Sequence, residues 1–192
     1  VIRPLRAAVI GLGKMGGHHA RVLSSLPGVE LVALADPLKV GTHVAGLEVR
    51  ADWRDLLGIR LNIAVVAAPT VLHEEIASGL AKEGISALIE KPLAVTVDSC
   101  QRIIDAFRGR DLVACVGHVE RYNPALLAMR DRLEAGELGD IFHVATRRQG
   151  PFPARIKDVG VILDLATHDL DLTAWVTGHA YRRVVAYVHN KP

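Results

Sequence analysis

The sequence predicts an α/β fold. A doubly wound parallel sheet spans residues 1–118, and residues 119–192 begin an α+β domain that breaks off before its sheet is complete. Three observations predict this. Short apolar runs alternate with helix-length amphipathic segments through the first two-thirds of the chain, which is the rhythm of right-handed β–α–β crossovers. Half of the 192 residues are hydrophobic and only 4% are aromatic, a mix that suits parallel strands buried on both faces. Beyond Gly117 the rhythm changes to two helices and two alternating segments, too few to bury a core of their own.

Residues 7–10 form the first apolar run, and a helical pattern follows Gly11 to about residue 26. Residues 31–35 read as a second strand, 47–50 as a weaker third and 62–68 as a buried fourth. A helix over 72–82 closes at Gly84, a strand covers 86–90, and a helix over 96–107 has Gly109 past its end. A strand over 112–117 completes the first domain. Pro124 opens a helix ending near Gly136, where a left-handed cap fits. Residues 141–148 alternate in polarity as a half-buried strand does. Gly150-Pro151-Phe152-Pro153 is a loop, 161–176 a helix stopped by Gly178, and 183–189 a last strand.

Composition narrows the function classes. The 23 basic and 21 acidic residues leave a net charge of +2 with no long basic run, so neither a nucleic-acid groove nor an anionic membrane surface is expected as partner. No apolar stretch reaches spanning length. The chain opens almost directly on a strand, which leaves no room for a signal peptide. Cys100 and Cys115 have neither metal nor redox spacing and read as small buried residues in a reducing compartment. A soluble, cytoplasmic protein is the expectation.

Gly11-Leu12-Gly13-Lys14-Met15-Gly16 follows a strand and opens a helix, the setting that the G-x-G-x-x-G pattern requires. Gly11 permits the tight turn, Gly13 lets backbone approach a pyrophosphate, and Gly16 lets helix and strand pack closely. Lys14 and Met15 lie within the same turn, at the positive end of the helix dipole. Asp36, about 20 residues past Gly16 at the end of the second strand, is placed to accept from a ribose 2′-OH. A carboxylate there repels a 2′-phosphate, so NAD is expected in preference to NADP. The alternative is that Asp36-Pro37 merely starts a turn. Strand, glycines and acid together predict a Rossmann unit.

Glu90-Lys91-Pro92 ends the fifth main strand. Ligands of open α/β sheets bind outside the carboxyl ends of the strands, so Lys91 faces that cleft and can donate to a substrate oxygen. Without further context it is an ordinary surface lysine. The context is Asp164-Leu-Ala-Thr-His168-Asp-Leu-Asp171, where Asp164, His168 and Asp171 recur at i, i+4 and i+7 on one helix face. A polar stripe on so apolar a helix faces solvent, a metal or a substrate pocket. A metal would need further convergent ligands, for which His118 and His143 are candidates, and no metal is expected. In a pocket His168 would shuttle a proton between alcohol and ketone, and Asp164 would orient it or contact a sugar hydroxyl.

The ordered set Gly11–Gly16, Asp36, Ala68-Pro69-Thr70-x-x-His73, Glu90-Lys91-Pro92, Gly117-x-x-x-Arg121-Tyr122-Asn123-Pro124 and Asp164-x-x-x-His168 resembles the glucose–fructose oxidoreductase / inositol dehydrogenase (Gfo/Idh/MocA) family over essentially the whole chain. The resemblance implies an NAD(P)-dependent oxidoreductase acting on a sugar or cyclitol hydroxyl. It implies Lys91, Asp164 and His168 as the catalytic group. Pro69, Thr70, His73, Glu90, Arg121 and Tyr122 would border the cofactor, with Thr70 standing where many members carry Asn. The segments Gly117–Pro124, Arg148-Gln-Gly-Pro-x-Pro-x-Arg155 and Gly160–Asp169 are similar to members that oxidise C3 of UDP-N-acetylglucosamine or related nucleotide sugars. By that likeness Asn123, Arg148 and Arg155, with Lys157, would meet the substrate, the arginines suiting its diphosphate. A solvated basic loop is the alternative for the last three.

Family members are considerably longer, and their second domain is a broad open sheet that walls the substrate site and often mediates dimerisation. This implies a homo-oligomer through the C-terminal sheet where that sheet is complete. Two other functional readings stand beside the nucleotide-sugar dehydrogenase: a polyol or inositol-type dehydrogenase, and an NAD-binding module left catalytically incompetent by truncation.

Overall fold

The computed structural model describes residues 3–149, 160, 162–187 and 189. They fall into two compact units, the first holding residues up to Gly117 together with Gly160, the second the remaining described residues from His118 on. The first unit runs β1 (Leu5–Ile10), α1 (Lys14–Leu23), β2 (Val29–Ala35), β3 (His43–Val44), β4 (Leu47–Arg50), β5 (Ile63–Val66), α2 (His73–Lys82), β6 (Ser86–Ile89), α3 (Val97–Phe107) and β7 (Ala114–Val116). The strands form one sheet in the order β3-β4-β2-β1-β5-β6-β7. Every ladder is parallel except β3 with β4. From β1 the chain builds outward through β2 in one direction, then returns to the other side of β1 at β5. The point of reversal, between β1 and β5, is where an open α/β sheet leaves a crevice at its carboxyl edge.

The central strands β1, β2, β5 and β6 supply both layers, because successive side chains face opposite ways. Ala8 and Ile10 of β1 join Ala33, Ala64, Val66 and Ile89 in one core, closed by Ile76 and Leu80 of α2 and by Ile103 and Phe107 of α3. Val9, Leu34, Val49 and Val65 face the other way, against Leu12 and Ala20. The near-continuous apolar runs thus divide between two sides of one sheet. Two buried thiols were expected, but Cys115 is exposed on the edge strand β7 and Cys100, on α3, is only partly buried.

α1 ends at Leu23, short of the expected residue 26. Ser24 and Ser25 turn their hydroxyls onto the carbonyls of Arg21 (2.8 Å) and Val22 (3.1 Å), competing with the helical ladder. α2 closes in a left-handed Gly84 (φ +74), with Ile85 N–H donating to Leu80 carbonyl at 2.9 Å. α3 opens on Thr96, whose hydroxyl oxygen accepts from Ser99 N–H at 3.1 Å.

The second unit contains α4 (Pro124–Glu134), a π-helical segment Ile162–Ala166 and α5 (Thr167–Thr177). Asn123 caps α4 by accepting from Ala125 N–H at 3.0 Å, and Pro124 occupies its first turn. Gly136 is left-handed (φ +74) as expected, and Gly178 ends α5 in the same way (φ +68). The helix expected over 161–176 is divided. The Thr167 hydroxyl donates to the Leu163 carbonyl at 3.0 Å, the acceptor that a regular helix gives to the Thr167 amide, and the ladder widens there. The strands expected at 141–148 and 183–189 are not formed in their described parts. Alternation defines two faces, but a strand also needs a ladder partner, and neither segment has one among the described residues.

α2 and α3 are joined at the surface by Arg102, whose guanidinium donates to both oxygens of Glu74, at 2.9 Å for Nη2 to Oε2. That hydrogen bond holds the Glu74 carboxyl at about 2 against an ordinary 4.5. A depressed carboxylate stabilises the fold above its unfolded pKa, and the contribution is lost as pH falls through the folded value. The Glu74 contribution is therefore full above about 4.5 and disappears toward pH 2. In an NMR titration Arg102→Ala raises the Glu74 midpoint toward its ordinary range, a hydrogen bond from Ser99 retaining part of the depression; a Glu74 midpoint unmoved by the substitution contradicts the assignment.

Candidate functional site

The carboxyl edge of the first unit is built around the turn between β1 and α1. Gly11 has φ +85, and a Cβ there would lie 2.5 Å from the Ala68 amide nitrogen. A Cβ on Gly16 would lie 1.8 Å from the Gly11 carbonyl oxygen. Neither position admits a side chain. Gly13 is different, because a Cβ there meets nothing within 4 Å. The space in front of α1 is open, Gly13 offers no side-chain cap, and the first turn carries no acid. Thr96 and Asn123 cap their helices with side-chain oxygens; at α1 no cap of that kind is found among the described residues, so its first-turn amides and the positive end of the dipole could meet an anion. Lys14 is exposed at this end and Met15 half-buried behind it.

Asp36 ends β2 beside the turn and is 9% exposed. Leu12 N–H donates to its Oδ2 at 2.6 Å and Leu38 N–H to its Oδ1 at 2.8 Å. Lys39 Nζ donates to the Leu12 carbonyl at 2.7 Å. One residue of the glycine turn is thus held through both its amide and its carbonyl by the segment after β2. Glycines and Asp36 fit a dinucleotide: an open, positive helix end for its pyrophosphate and a fixed carboxylate for its ribose.

Across the point of reversal lie the ends of β5 and β6. Thr70 is 7% exposed and Pro69 exposed. His73 is 1% exposed, with Nε2 2.9 Å from the Ala68 carbonyl and Nδ1 3.0 Å from that of Pro92. Its ring clasps the two loops that leave β5 and β6. Glu90 is 6% exposed, and Lys91 beside it is half-buried before a cis peptide bond to Pro92. Glu90 Oε1 lies 2.7 Å from Nε2 of His19 on α1. Sequence reasoning missed His19. The only available signal was its helical spacing from Gly16, which alone cannot show that the ring reaches another strand.

In the second unit Asp164 is 9% exposed within the π-helical segment, and His168 is half-buried in the first turn of α5. Such segments are rare and concentrate at functional sites. Asp171, the third member of the polar stripe, accepts from Arg121 through both carboxylate oxygens (2.8 Å at Nε) and lies 3.4 Å from His118 Nδ1. The bond to Asp171 holds Arg121 above its ordinary pKa range. Arg121 also lies 6.0 Å from the Trp175 ring centroid, and Arg130 stacks on that ring at 4.5 Å. Tyr122 is exposed, and the Asn123 side chain is engaged as the α4 cap. Arg148 is paired with Asp169 (3.0 Å) and Glu120 (3.7 Å). Arg155 and Lys157 lie outside the described residues. Among the described residues no group of three or more His, Cys, Asp or Glu side chains is arranged to hold a metal ion. No described helix is long and apolar enough to cross a membrane.

Comparison with known proteins agrees with this geometry. The chain is 31% identical over 175 residues to UDP-N-acetylglucosamine 3-dehydrogenase of Acidithiobacillus ferrooxidans, covering 91% of this chain and 55% of that protein. It is 28% identical over 185 residues to scyllo-inositol 2-dehydrogenase (NAD(+)) of Bacillus subtilis, covering 91% and 54%. The crystal structure of the WlbA dehydrogenase from Bordetella pertussis in complex with NADH and UDP-GlcNAcA superimposes with a TM-score of 0.77 at 25% identity, covering 91% of this chain and 55% of that one. The myo-inositol 2-dehydrogenase of Lactobacillus plantarum, at 24% identity and a TM-score of 0.79, shares the fold over 92% of this chain and 57% of its own. The chain spans about half the length of the curated relatives it matches. The model of the oxidoreductase family with an NAD-binding Rossmann fold matches residues 5–118, and that of the GFO/IDH/MocA C-terminal domain matches residues 126–192. The turn that leaves α1 open to a pyrophosphate thus belongs to an NAD-binding Rossmann domain, and the chain belongs to the GFO/IDH/MocA oxidoreductase family.

Proposed function

We propose that this chain carries the cofactor domain, residues 1–118, and the opening of the substrate domain, residues 119–192, of an NAD-dependent dehydrogenase that oxidises a sugar or cyclitol hydroxyl. The observation that carries the proposal is the presence on one sheet edge of an uncapped α1, an Asp36 carboxylate bonded to the Leu12 amide, and Lys91 at the end of β6. Gly11, Gly13, Lys14, Met15 and Gly16 hold the pyrophosphate, and Asp36 the adenosine ribose. Pro69, Thr70, His73, Glu90, Arg121 and Tyr122 border the rest of the cofactor. The chemistry that bound NAD would supply is acceptance of a hydride from the substrate carbon. His168 takes the hydroxyl proton, Lys91 donates a hydrogen bond to the same oxygen, and Asp164 orients the imidazole.

The substrate is a nucleotide sugar oxidised at C3. The 31% identity to a UDP-N-acetylglucosamine 3-dehydrogenase supports this, with Asn123, Arg148 and Arg155 toward the substrate. A cyclitol is the second reading, favoured by inositol dehydrogenases at 28–31% identity. A cytoplasmic location and self-association through the C-terminal sheet belong to the same proposal.

Two measurements test it. In calorimetric titrations the chain binds NAD saturably and NADP much more weakly. Asp36→Asn keeps an acceptor for Leu12 N–H but removes the charge, and narrows that preference by about tenfold or more, the worth of a charged hydrogen bond. Equal binding of both cofactors by the wild type contradicts the role of Asp36. In steady-state assays with UDP-N-acetylglucosamine and with scyllo-inositol, Lys91→Met lowers turnover by about a hundredfold or more while NAD affinity holds. Loss of NAD binding in step with turnover overturns the catalytic assignment of Lys91.

A further inference from the structure

The proposed chemistry makes no use of His19. Its side chain is 16% exposed and that of Glu90 7%, with Nε2 and Oε1 2.7 Å apart. Glu90 is boxed in on a second side by Gly117, where a Cβ would fall 3.1 Å from the carboxyl carbon. The backbone around it is fixed as well: Glu90 N–H donates to the Val66 carbonyl at 2.9 Å, and Gly117 N–H to that of Ile89 at 2.7 Å. The pair therefore crosses the point of reversal. Its histidine lies on the helix that carries the glycine turn, and its glutamate is joined covalently to Lys91. A hydrogen bond to a carboxylate in so enclosed a place is strong, and stranding that carboxylate without its partner is costly.

We propose that His19 is a positioning residue: it ties α1 to the Glu90-Lys91 turn, so that the nicotinamide half of the cofactor and Lys91 share one rigid frame. The inference rests on the NAD-binding reading above. The adenosine half depends on Asp36 and the glycine turn, which the pair does not touch. Removing His19 therefore weakens a ligand that reaches the end of β6 and spares one that stops short of it. ADP-ribose is such a ligand, having the same adenosine and pyrophosphate without the nicotinamide ring.

The test is calorimetric titration of the wild type, His19→Ala and His19→Gln with NAD and with ADP-ribose. The expected result is an NAD affinity lowered by about tenfold or more in His19→Ala, with ADP-ribose changed by less than about threefold. His19→Gln, which keeps an N–H donor, restores NAD binding. Unchanged NAD affinity in His19→Ala overturns the proposal. So does a parallel fall for both ligands, which marks a general structural defect, or a failure of glutamine to restore binding. A wild type that binds neither ligand overturns the NAD reading itself and this inference with it, an outcome distinct from the other three.

Discussion

The Gly11 carbonyl oxygen occupies the place that any side chain on Gly16 would need, 1.8 Å from an ideal Cβ, and the first unit is arranged around that contact. It brings the start of α1 down onto the end of β1. Once there, Leu12 can offer its amide to Asp36 and its carbonyl to Lys39, and His19 can reach Glu90. A methyl group on Gly16 would displace backbone rather than a flexible side chain, so a core of this density has no inexpensive way to absorb it. The same turn leaves Gly13 facing open space and gives the helix end no side-chain cap among the described residues.

Polar groups on the far side of the crevice are held with equal economy. The His73 ring, buried to 1% exposure, bridges carbonyls of the loops after β5 and β6. Those loops carry Pro69, Thr70 and Lys91, and the imidazole links them beyond the last pair of the β5–β6 ladder. Buried polar groups that satisfy one another in this way specify a single arrangement, whereas apolar contacts tolerate several. In the second unit Arg121 and Asp171 play a comparable part, joining the segment before α4 to α5.

The first unit was largely legible in the sequence because its signals are local. Buried parallel strands read as apolar runs, and glycines mark most of the places where the backbone turns left-handed, Ala45 (φ +51) excepted. Strand 47–50 was found on weak periodicity, while its antiparallel neighbour His43–Val44, two residues long, left no pattern to read. The His19–Glu90 pair was invisible for a different reason, since a contact 71 residues apart has no local signature. The second unit was harder. Spacing placed Asp164, His168 and Asp171 on one face by assuming a regular helix, and Thr167 breaks that regularity. Asp171 answers Arg121, and Arg148, proposed to meet the substrate, is also paired with Asp169 and Glu120. Charged residues near a site are read in sequence by what they could meet, and the fold decides which partner is nearer.

The proposed function requires that the uncapped end of α1 and the Asp36 carboxylate together receive NAD. Backbone amide shifts of the 15N-labelled chain, followed as NAD is added, test it most directly. Saturable shifts are expected to be largest at Gly13, Lys14, Met15 and Leu38, with a second group at Glu90 and Lys91. Shifts that leave the glycine turn unmoved, or that fall on α4 and α5 alone, would contradict it.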